Sequence, residues 1–157
     1  MSAVDCFGNS VIDSFSGEYR FLSNFWPAPI EIWGKSFPTT EHAYQTSKTV
    51  DELEKNYILW KNGKPTTPGL AKRRGNEIVN KRPDWVAVRD AIMLELQMAK
   101  FTQHPDLLAL LKATGTTQLI EGNTWCDNHW GTCTCPKCGN KGRNALGLLL
   151  MHVRTIL

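Results

Sequence analysis

The sequence predicts a mainly α-helical (α+β) fold: one compact helical domain over residues 1–157, with a small N-terminal β-hairpin or sheet. Apolar residues recur at helical spacing in segment 85–101, and such a stripe is typical of a helix that packs on a core. Segments 105–114 and 146–156 are rich in apolar residues and also predict helices. In residues 30–37, apolar and polar side chains alternate on either side of a Gly-Lys turn, and this pattern indicates a hairpin. A chain of 157 residues has the size of one domain and can bury its own core.

In the N-terminal half, turn and cap residues mark the elements. Residues 1–17 are small and polar and predict a loop or an edge strand. A threonine directly before Glu41 predicts the N-cap of a helix. Residues 51–54 resemble a capping box that starts a second helix, which ends at the turn residues 62–65. Pro68 then begins a short helix that carries a basic cluster.

The C-terminal half holds the longest predicted helix, which begins near Trp85 and ends near Phe101. A His-Pro cap starts the next helix, in which four leucines are predicted to be buried: Leu107, Leu108, Leu110 and Leu111. Residues 118–121 could form a strand, and residues 146–156 close the chain as an apolar helix.

Composition and charge exclude several classes of protein. The net charge of +3 is compatible with an anionic ligand but does not establish nucleic-acid binding. No apolar run approaches the roughly 18 residues of a membrane helix, and residues 1–16 lack the regions of a signal peptide. The cysteines number five, and the spacings of the four that are clustered suit a metal better than a disulfide framework. We therefore expect a cytoplasmic protein with no membrane partner, and no pattern indicates its oligomeric state.

Glu41 is the first candidate for a chemical role, because it lies in the first turn of a predicted helix. Backbone amides and the helix dipole favour an ionised carboxylate there, which suits a general base or a stabiliser of positive charge. Tyr44 and Gln45 follow on the same helix face, and then Lys48 seven residues after Glu41. The alternative is that acidic residues are simply common in first turns.

Residues 122–147 lack the apolar periodicity of a helix or strand, and a long irregular segment in a compact domain is usually functional. Asp127 and Trp130 lie three residues apart within it. Such a pair suits a sugar or nucleobase site, because the ring stacks on a flat face and the acid binds hydroxyls or developing positive charge. Alternatively, the tryptophan anchors the loop and Asp127 caps a turn. Asn144 offers an amide to a ligand, or caps the last helix.

Four of the five cysteines lie in the same segment: Cys126, Cys133, Cys135 and Cys138. One zinc ion could hold all four in tetrahedral geometry, and its role would be structural because no ligand position would stay open. Since Cys133 and Cys135 point to opposite sides of an extended strand, a shared ion requires a turn between them. The alternatives are free thiols in a tight loop, or a redox pair.

The basic cluster at residues 72–74 suits a phosphate, and a solvated helix face is the alternative. Lys48, Arg73 and Arg74 are the candidate phosphate ligands.

Four segments together point to a known family: FLSNF at 21–25, PTTEHAYQ at 38–45, DNHWG at 127–131 and GRNALG at 142–147. In this order and spacing, over about residues 19–154, the sequence resembles the NADAR family, also called YbiA-like. Some members of that family have a glycine-rich loop where this chain has Cys133 to Cys138.

The resemblance implies a compact, mainly helical fold and a hydrolase that acts on N-glycosyl compounds. Such an enzyme cleaves the C–N bond between a phosphorylated ribose, or ADP-ribose, and a base or amine, and it needs no cofactor for catalysis. Early intermediates of riboflavin synthesis and ADP-ribosylated guanine in nucleic acid are the two implied substrate classes. We predict two catalytic residues, Glu41 and Asp127. The predicted substrate-binding residues are Asn24, Phe25, Tyr44, Lys48, Arg73, Trp130 and Asn144.

Two other functions fit the same residues. One is a non-catalytic module that binds ADP-ribose or nucleic acid through the basic cluster and the tryptophans. The other is a small interaction domain stabilised by zinc. The sequence does not decide between the small-molecule and the nucleic-acid substrate.

Overall fold

The computed structural model of the chain describes residues 3–157, so Met1 and Ser2 of the predicted N-terminal loop or strand lie outside the described residues. Helices hold 46% of the chain and strands 15%, which confirms the mainly α-helical (α+β) class. No described helix is long and apolar enough to cross a membrane. In chain order the elements are β1 (Ala3–Val4), β2 (Ser10–Ile12), a 3-10 helix (Gly17–Leu22), β3 (Ile30–Ile32), β4 (Lys35–Phe37), α1 (Thr40–Thr46), α2 (Glu52–Leu59), β5 (Trp60–Lys61), β6 (Lys64–Pro65), α3 (Pro68–Glu77), α4 (Trp85–Gln103), α5 (Pro105–Ala113), β7 (Gln118–Leu119), β8 (Gly122–Asn123), β9 (Thr132–Cys133) and α6 (Ala145–Ile156).

The described chain divides into two compact units. The first, which we call the central unit, is residues 24–103. The second, the terminal unit, combines residues 3–23 with residues 104–157. The single domain over residues 1–157 stays a prediction.

Helix α1 lies at the centre of the central unit, in contact with α2, α3 and α4. All seven of its residues are buried, although five of them are polar. Buried polar groups need hydrogen bonds to offset the loss of water, so such a helix is costly unless its side chains are paired. This composition already separates α1 from the amphipathic helices around it.

Two hairpins border the central unit. The predicted one is confirmed: β3 and β4 are antiparallel, with Ile30 opposite Phe37, and Trp33 and Gly34 form the turn with positive φ. The sequence predicted only a stop after α2. The structure instead forms a second hairpin, β5 and β6, around Asn62 and Gly63, which also have positive φ. An Asn-Gly pair is a strong signal for such a turn.

The terminal unit is built on a three-stranded sheet in the order β1-β2-β7, where β2 runs antiparallel to β1 and parallel to β7. Helix α6 packs on β7, and α5 packs on α6. Leu107 and Leu111 of α5 are buried, but the prediction for Leu110 is wrong, because it is 49% exposed. Leu108 is only partly buried.

The irregular segment of the terminal unit is closed at its base by tightly stacked backbone. Strands β8 and β9 pair in parallel, and Cys133 forms an antiparallel bridge with Lys141. A Cβ added to Gly131 would lie 2.0 Å from the carbonyl oxygen of Glu121, and one on Gly142 would lie 2.1 Å from that of Gly131. Only glycine allows three backbone segments to approach this closely.

Candidate functional site

The start of α1 fixes the position of Glu41. The N-cap is Thr39, whose Oγ1 accepts a hydrogen bond from the backbone amide of His42 at 3.3 Å. The cap is therefore one residue earlier than predicted, and Glu41 is the second residue of the helix. Its backbone amide donates to the carbonyl oxygen of Asn24 at 3.1 Å. The Glu41 side chain is only 6% exposed, and its Oε1 accepts a hydrogen bond from Nε2 of Gln45 at 2.7 Å.

Asn24 has its own buried partners on α4. Its Oδ1 accepts a hydrogen bond from Nε2 of Gln97 at 2.7 Å, and its Nδ2 lies 3.5 Å from the sulfur of Met93. Its carbonyl holds the amide of Glu41. The structure thus gives Asn24 a role in positioning α1, while its predicted contact with substrate stays a prediction.

Lys48, one helical turn beyond Gln45, is a second buried charged group. It is 7% exposed, and its Nζ donates to Oδ1 of Asn76 at 3.2 Å. The Lys48 ammonium also lies 5.4 Å from the ring centroid of Tyr44, which in turn packs on Trp85 at 5.3 Å. The Lys48 ammonium therefore lies over the ring of Tyr44, and the two predicted residues lie together.

Burial lowers the pKa of Lys48 to about 8. Glu41 favours the charged form and raises the pKa, whereas Lys81 and Lys72 lower it further. The Lys72 ammonium lies 5.9 Å from the centroid of the Phe25 ring. Because two other lysines and only one carboxylate act on Lys48, the site is suited to an anion such as a phosphate.

Arg73 and Arg74, the predicted phosphate ligands on α3, have contacts of their own, and their binding of phosphate stays a prediction. Arg73 is exposed, with its Nε 4.0 Å from Oε1 of Glu77. Arg74 stacks on the ring of Tyr57 at 4.3 Å and donates to the carbonyl oxygens of Tyr57 and Trp60. Arg74 therefore has a structural role, and Lys72 is the member of the basic cluster that acts on Lys48.

In the terminal unit, Asp127 shapes its own loop. Its Oδ1 accepts hydrogen bonds from the backbone amides of His129 at 3.1 Å and Trp130 at 2.9 Å. This is the turn-capping role considered as the alternative. The side chain of Asn123 makes two hydrogen bonds to the backbone of Asp127: its Oδ1 accepts from the amide at 3.1 Å, and its Nδ2 donates to the carbonyl oxygen at 2.8 Å. The carboxylate is thus fixed in direction, and its catalytic role stays a prediction.

Trp130 is half-buried, and the ring of His129 meets it edge-on at 4.5 Å between centroids. Its carbonyl oxygen accepts the backbone amide of Leu146 at 3.0 Å, which ties the loop to the first turn of α6.

Asn144 precedes α6 with a left-handed backbone, φ 51°, and its side chain does not cap the helix. Its Oδ1 instead accepts the amide of Glu121 at 3.0 Å, and its Nδ2 donates to the carbonyl of Leu119 at 2.9 Å. Gly147 packs against this amide, since a Cβ there would lie 2.5 Å from it. The amide of Asn144 therefore joins α6 to the strand end, and its contact with a ligand stays a prediction.

The four clustered cysteines of the terminal unit converge in space: the Sγ atoms of Cys126, Cys133, Cys135 and Cys138 all lie within 4.8 Å of one another. All five cysteines of the chain carry free thiols. Hydrogen bonds with Cys138 and then Cys135 raise the pKa of the Cys126 thiol to about 12.

Four residues outside the predicted site residues position the site residues: Gln45, Lys72, Gln97 and Asn123. The spacing from Glu41 had already placed Gln45 on the same helix face, and Lys72 had already been grouped in the basic cluster. Gln97 is a polar residue on an apolar stripe, which is a weaker signal. Asn123 lies in an irregular segment where spacing predicts no contact.

The central unit also has a cavity of about 310 Å³, lined by Trp33, Phe37, Leu59 and Ile92 among others. None of the predicted site residues lines it. We therefore do not assign the chemistry to this cavity.

The buried carboxylate of Glu41 accepts a hydrogen bond from Gln45 and lies near Lys48, whose pKa is lowered. These groups define a candidate catalytic site for an anionic substrate on a mainly helical α+β scaffold. Residues 13–157 match the NADAR domain. The chain therefore belongs to the NADAR family, and the predicted family is confirmed.

Three comparisons show how close the relationship is. The chain is 39% identical over 143 residues to the N-glycosidase YbiA of Shigella boydii serotype 4 (strain Sb227), covering 90% of this chain and 83% of that protein. It is 34% identical over 137 residues to a riboflavin biosynthesis protein of Vibrio vulnificus (strain YJ016), covering 87% of this chain and 35% of that protein. The NMR structure of Escherichia coli YbiA superposes with a TM-score of 0.74 at 36% identity, covering 92% of this chain and 81% of that one. Relatives named N-glycosidases agree with the enzyme class that the sequence predicts.

Proposed function

We propose that the chain is an N-glycosidase that hydrolyses the C–N bond between a phosphorylated ribose and an amine or base. The observation that carries this proposal is the electrostatic interaction of buried Glu41 on α1 with buried Lys48, which lies just past the end of that helix. A carboxylate can stabilise the positive charge that develops at C1′, and a neighbouring cation can hold the phosphate.

In the proposed reaction the C1′–N bond breaks and the leaving nitrogen takes a proton. The oxygen of a water molecule forms the new bond to C1′. Glu41 directs this water or stabilises the oxocarbenium-like state, and the hydrogen bond from Gln45 fixes which oxygen faces the reaction. Lys48, assisted by Lys72, binds the phosphate. The roles of Asp127 and Trp130 stay predictions from the family resemblance.

Early phosphorylated intermediates of riboflavin synthesis are the first substrate class in this proposal, and the name of the Vibrio relative supports it. ADP-ribosyl guanine in nucleic acid is the second. A cytoplasmic location is part of the proposal, and five free thiols are consistent with a reducing compartment.

Substitution of Glu41 by glutamine tests the proposal, because glutamine keeps the shape and removes the charge. We expect Glu41→Gln to lower kcat/KM by about 100-fold or more, since a charge at the reacting centre is lost. Release of base or ADP-ribose from each substrate class is the measurement. Glu52→Gln is the matched control, because Glu52 is also a first-turn acid but is 64% exposed. Its activity should match that of the wild type.

Retention of more than about half of the activity in Glu41→Gln would exclude this role for Glu41. Tight binding of ADP-ribose by the wild type, with no turnover of either substrate, would instead favour the non-catalytic binding module.

A further inference from the structure

The cysteine cluster, defined as Cys126, Cys133, Cys135 and Cys138, has the dimensions of a tetrahedral metal site. All four Sγ atoms lie within 4.8 Å of one another, and those of Cys126 and Cys135 are 3.6 Å apart. Four thiolates at the usual Zn–S length of 2.3 Å would be separated by about 3.8 Å. A separation of 3.6 Å also greatly exceeds the roughly 2.05 Å of a disulfide. Only a small contraction would place all four sulfurs on one ion.

The turn that the sequence required between Cys133 and Cys135 is present. Cys133 ends strand β9, and the next backbone amide, that of Thr134, donates to the carbonyl oxygen of Asn123 at 2.8 Å. The chain then bends at Cys135. The two side chains therefore face one point and not opposite sides.

A second turn brings Cys138 back to the same point. The amides of Cys138 and Gly139 both donate to the carbonyl oxygen of Cys135, at 3.1 and 2.9 Å. Gly139 has φ 61° and allows the chain to leave the turn. This tight loop between two cysteines is the arrangement that metal-binding CxxC segments use.

Hydrogen-bond donors already point at the sulfur atoms. Backbone amides of Cys126 and Cys135 donate to Sγ of Cys133 at 3.3 and 3.5 Å, and Nδ2 of Asn128 donates to Sγ of Cys138 at 3.5 Å. Such donors offset part of the negative charge of metal-bound thiolates and orient them.

We propose that Cys126, Cys133, Cys135 and Cys138 bind one structural zinc ion. With four sulfur ligands no coordination position stays open for substrate or water, so the ion stabilises the loop and does no chemistry. Asp127 follows Cys126 directly, and Asn123, which clamps Asp127, pairs in register with Cys133. The ion therefore holds the loop that carries Asp127 and Trp130.

The first test is metal content. Untagged wild-type protein, purified without chelator and under reducing conditions, is analysed by inductively coupled plasma mass spectrometry beside Cys138→Ser and Cys6→Ser. We expect about one zinc ion per chain in the wild type and at least a fivefold lower content in Cys138→Ser. Cys6→Ser is the matched control, because Cys6 is an exposed cysteine outside the cluster and its loss should leave the zinc content unchanged.

A second measurement does not depend on a variant that folds. Wild-type protein whose zinc is exchanged for cobalt(II) should show the visible absorption bands of a tetrahedral four-thiolate site. In native zinc-loaded protein, Cys6 should be the one cysteine that a thiol reagent modifies rapidly. After a chelator is added, the reagent should modify all five cysteines.

Zinc below about one ion per ten chains in the wild type, without a tetrahedral cobalt spectrum after reduction, would overturn the proposal. Iron in place of zinc, or a disulfide within the cluster in freshly prepared reduced protein, would overturn it as well. None of these results bears on Glu41→Gln, so the zinc site and the proposed glycosidase activity can fail independently.

Discussion

At the scale of single residues, the most informative feature is that Glu41 on α1 and Lys48, two residues past the end of that helix, are both buried. Burial of a charge is costly, and for Lys48 this cost outweighs the attraction of Glu41, because the pKa falls to about 8. The nearby ammonium groups of Lys72 and Lys81 add to the cost. A bound phosphate would add negative charge beside Lys48 and so favour its charged form.

The lowered pKa of Lys48 predicts how stability changes with pH. The folded protein releases this proton near pH 8, whereas the unfolded chain keeps it up to about pH 10.5, so the unfolded state binds more protons between these values. The free energy of unfolding should therefore gain up to about 3 kcal/mol from Lys48 as pH rises through that window. Urea denaturation from pH 7 to 10.5 measures it.

Lys48→Met removes this dependence, and its stability should exceed that of the wild type most clearly near pH 7. Lys112→Met is the matched control, because Lys112 is exposed, and its pH profile should run parallel to that of the wild type. Identical pH profiles for the wild type and Lys48→Met would show that Lys48 carries no burial cost.

At the scale of elements, the contact between α1 and α3 depends on one glycine. Gly75 lies inside α3, where glycine is unfavourable by roughly 1 kcal/mol relative to alanine. A Cβ at this position would lie 2.0 Å from Oε1 of Gln45. Glycine therefore lets the two helices approach and leaves Gln45 free to donate to Glu41.

Gly75→Ala should accordingly destabilise the protein by about 1–3 kcal/mol and lower kcat, because Gln45 must move away from Glu41. Gly69→Ala in the same helix is the matched control: a Cβ there meets nothing within 4 Å, so we expect stability to rise by about 0.5–1 kcal/mol. Thermal unfolding and steady-state kinetics measure both variants. Equal effects at the two glycines would contradict the proposed contact.

Elements with a side-chain cap or a proline start were predictable, because those signals act locally. Thr67 and Pro68 begin α3 as the sequence indicates. The buried face of a helix was harder to predict than its ends. Apolar residues lie on every face of α5, so the sequence could not show that Leu110 is exposed. The second hairpin was missed because its strands, at Trp60 and Lys64, are two residues long and show no alternation.

The site follows the same pattern. Residues on one helix face, such as Glu41 and Gln45, could be grouped from spacing alone. Lys72 and Arg73 are adjacent on a helix and point about 100° apart, so only the packing of α3 decides which one acts on Lys48. The convergence of the cysteines depended on the bend at Cys135, which no local pattern announces.

At the scale of the whole molecule, the net charge of +3 is small, and the positive groups that act on the proposed phosphate site are few: Lys48, Lys72 and Lys81. A small phosphorylated substrate therefore gains modest electrostatic attraction, which salt partly screens. A nucleic acid that contacts the same groups would also release condensed counterions and respond to salt much more steeply.

We expect kcat/KM for a ribosyl 5-phosphate substrate to fall by only about two- to fourfold between 50 and 200 mM salt. Three phosphate contacts to nucleic acid would instead give a loss of about 20- to 40-fold. Kinetics at several salt concentrations with both substrate classes distinguish these outcomes. A steep loss with the small substrate would contradict the proposed phosphate site.

The glycine-stacked base of the segment between Gly131 and Gly142 has an evolutionary consequence. Backbone contacts alone close this base, through the amide of Cys133 on the carbonyl of Lys141 and the amide of Asn144 on the carbonyl of Gly131. Since few side chains take part in these contacts, the sequence of the loop between them can change without loss of the contacts. Replacement of residues 134–140 would thus leave the strands and helices beneath unaltered, and it would exchange Cys135 and Cys138 while Cys126 and Cys133 stay in the base.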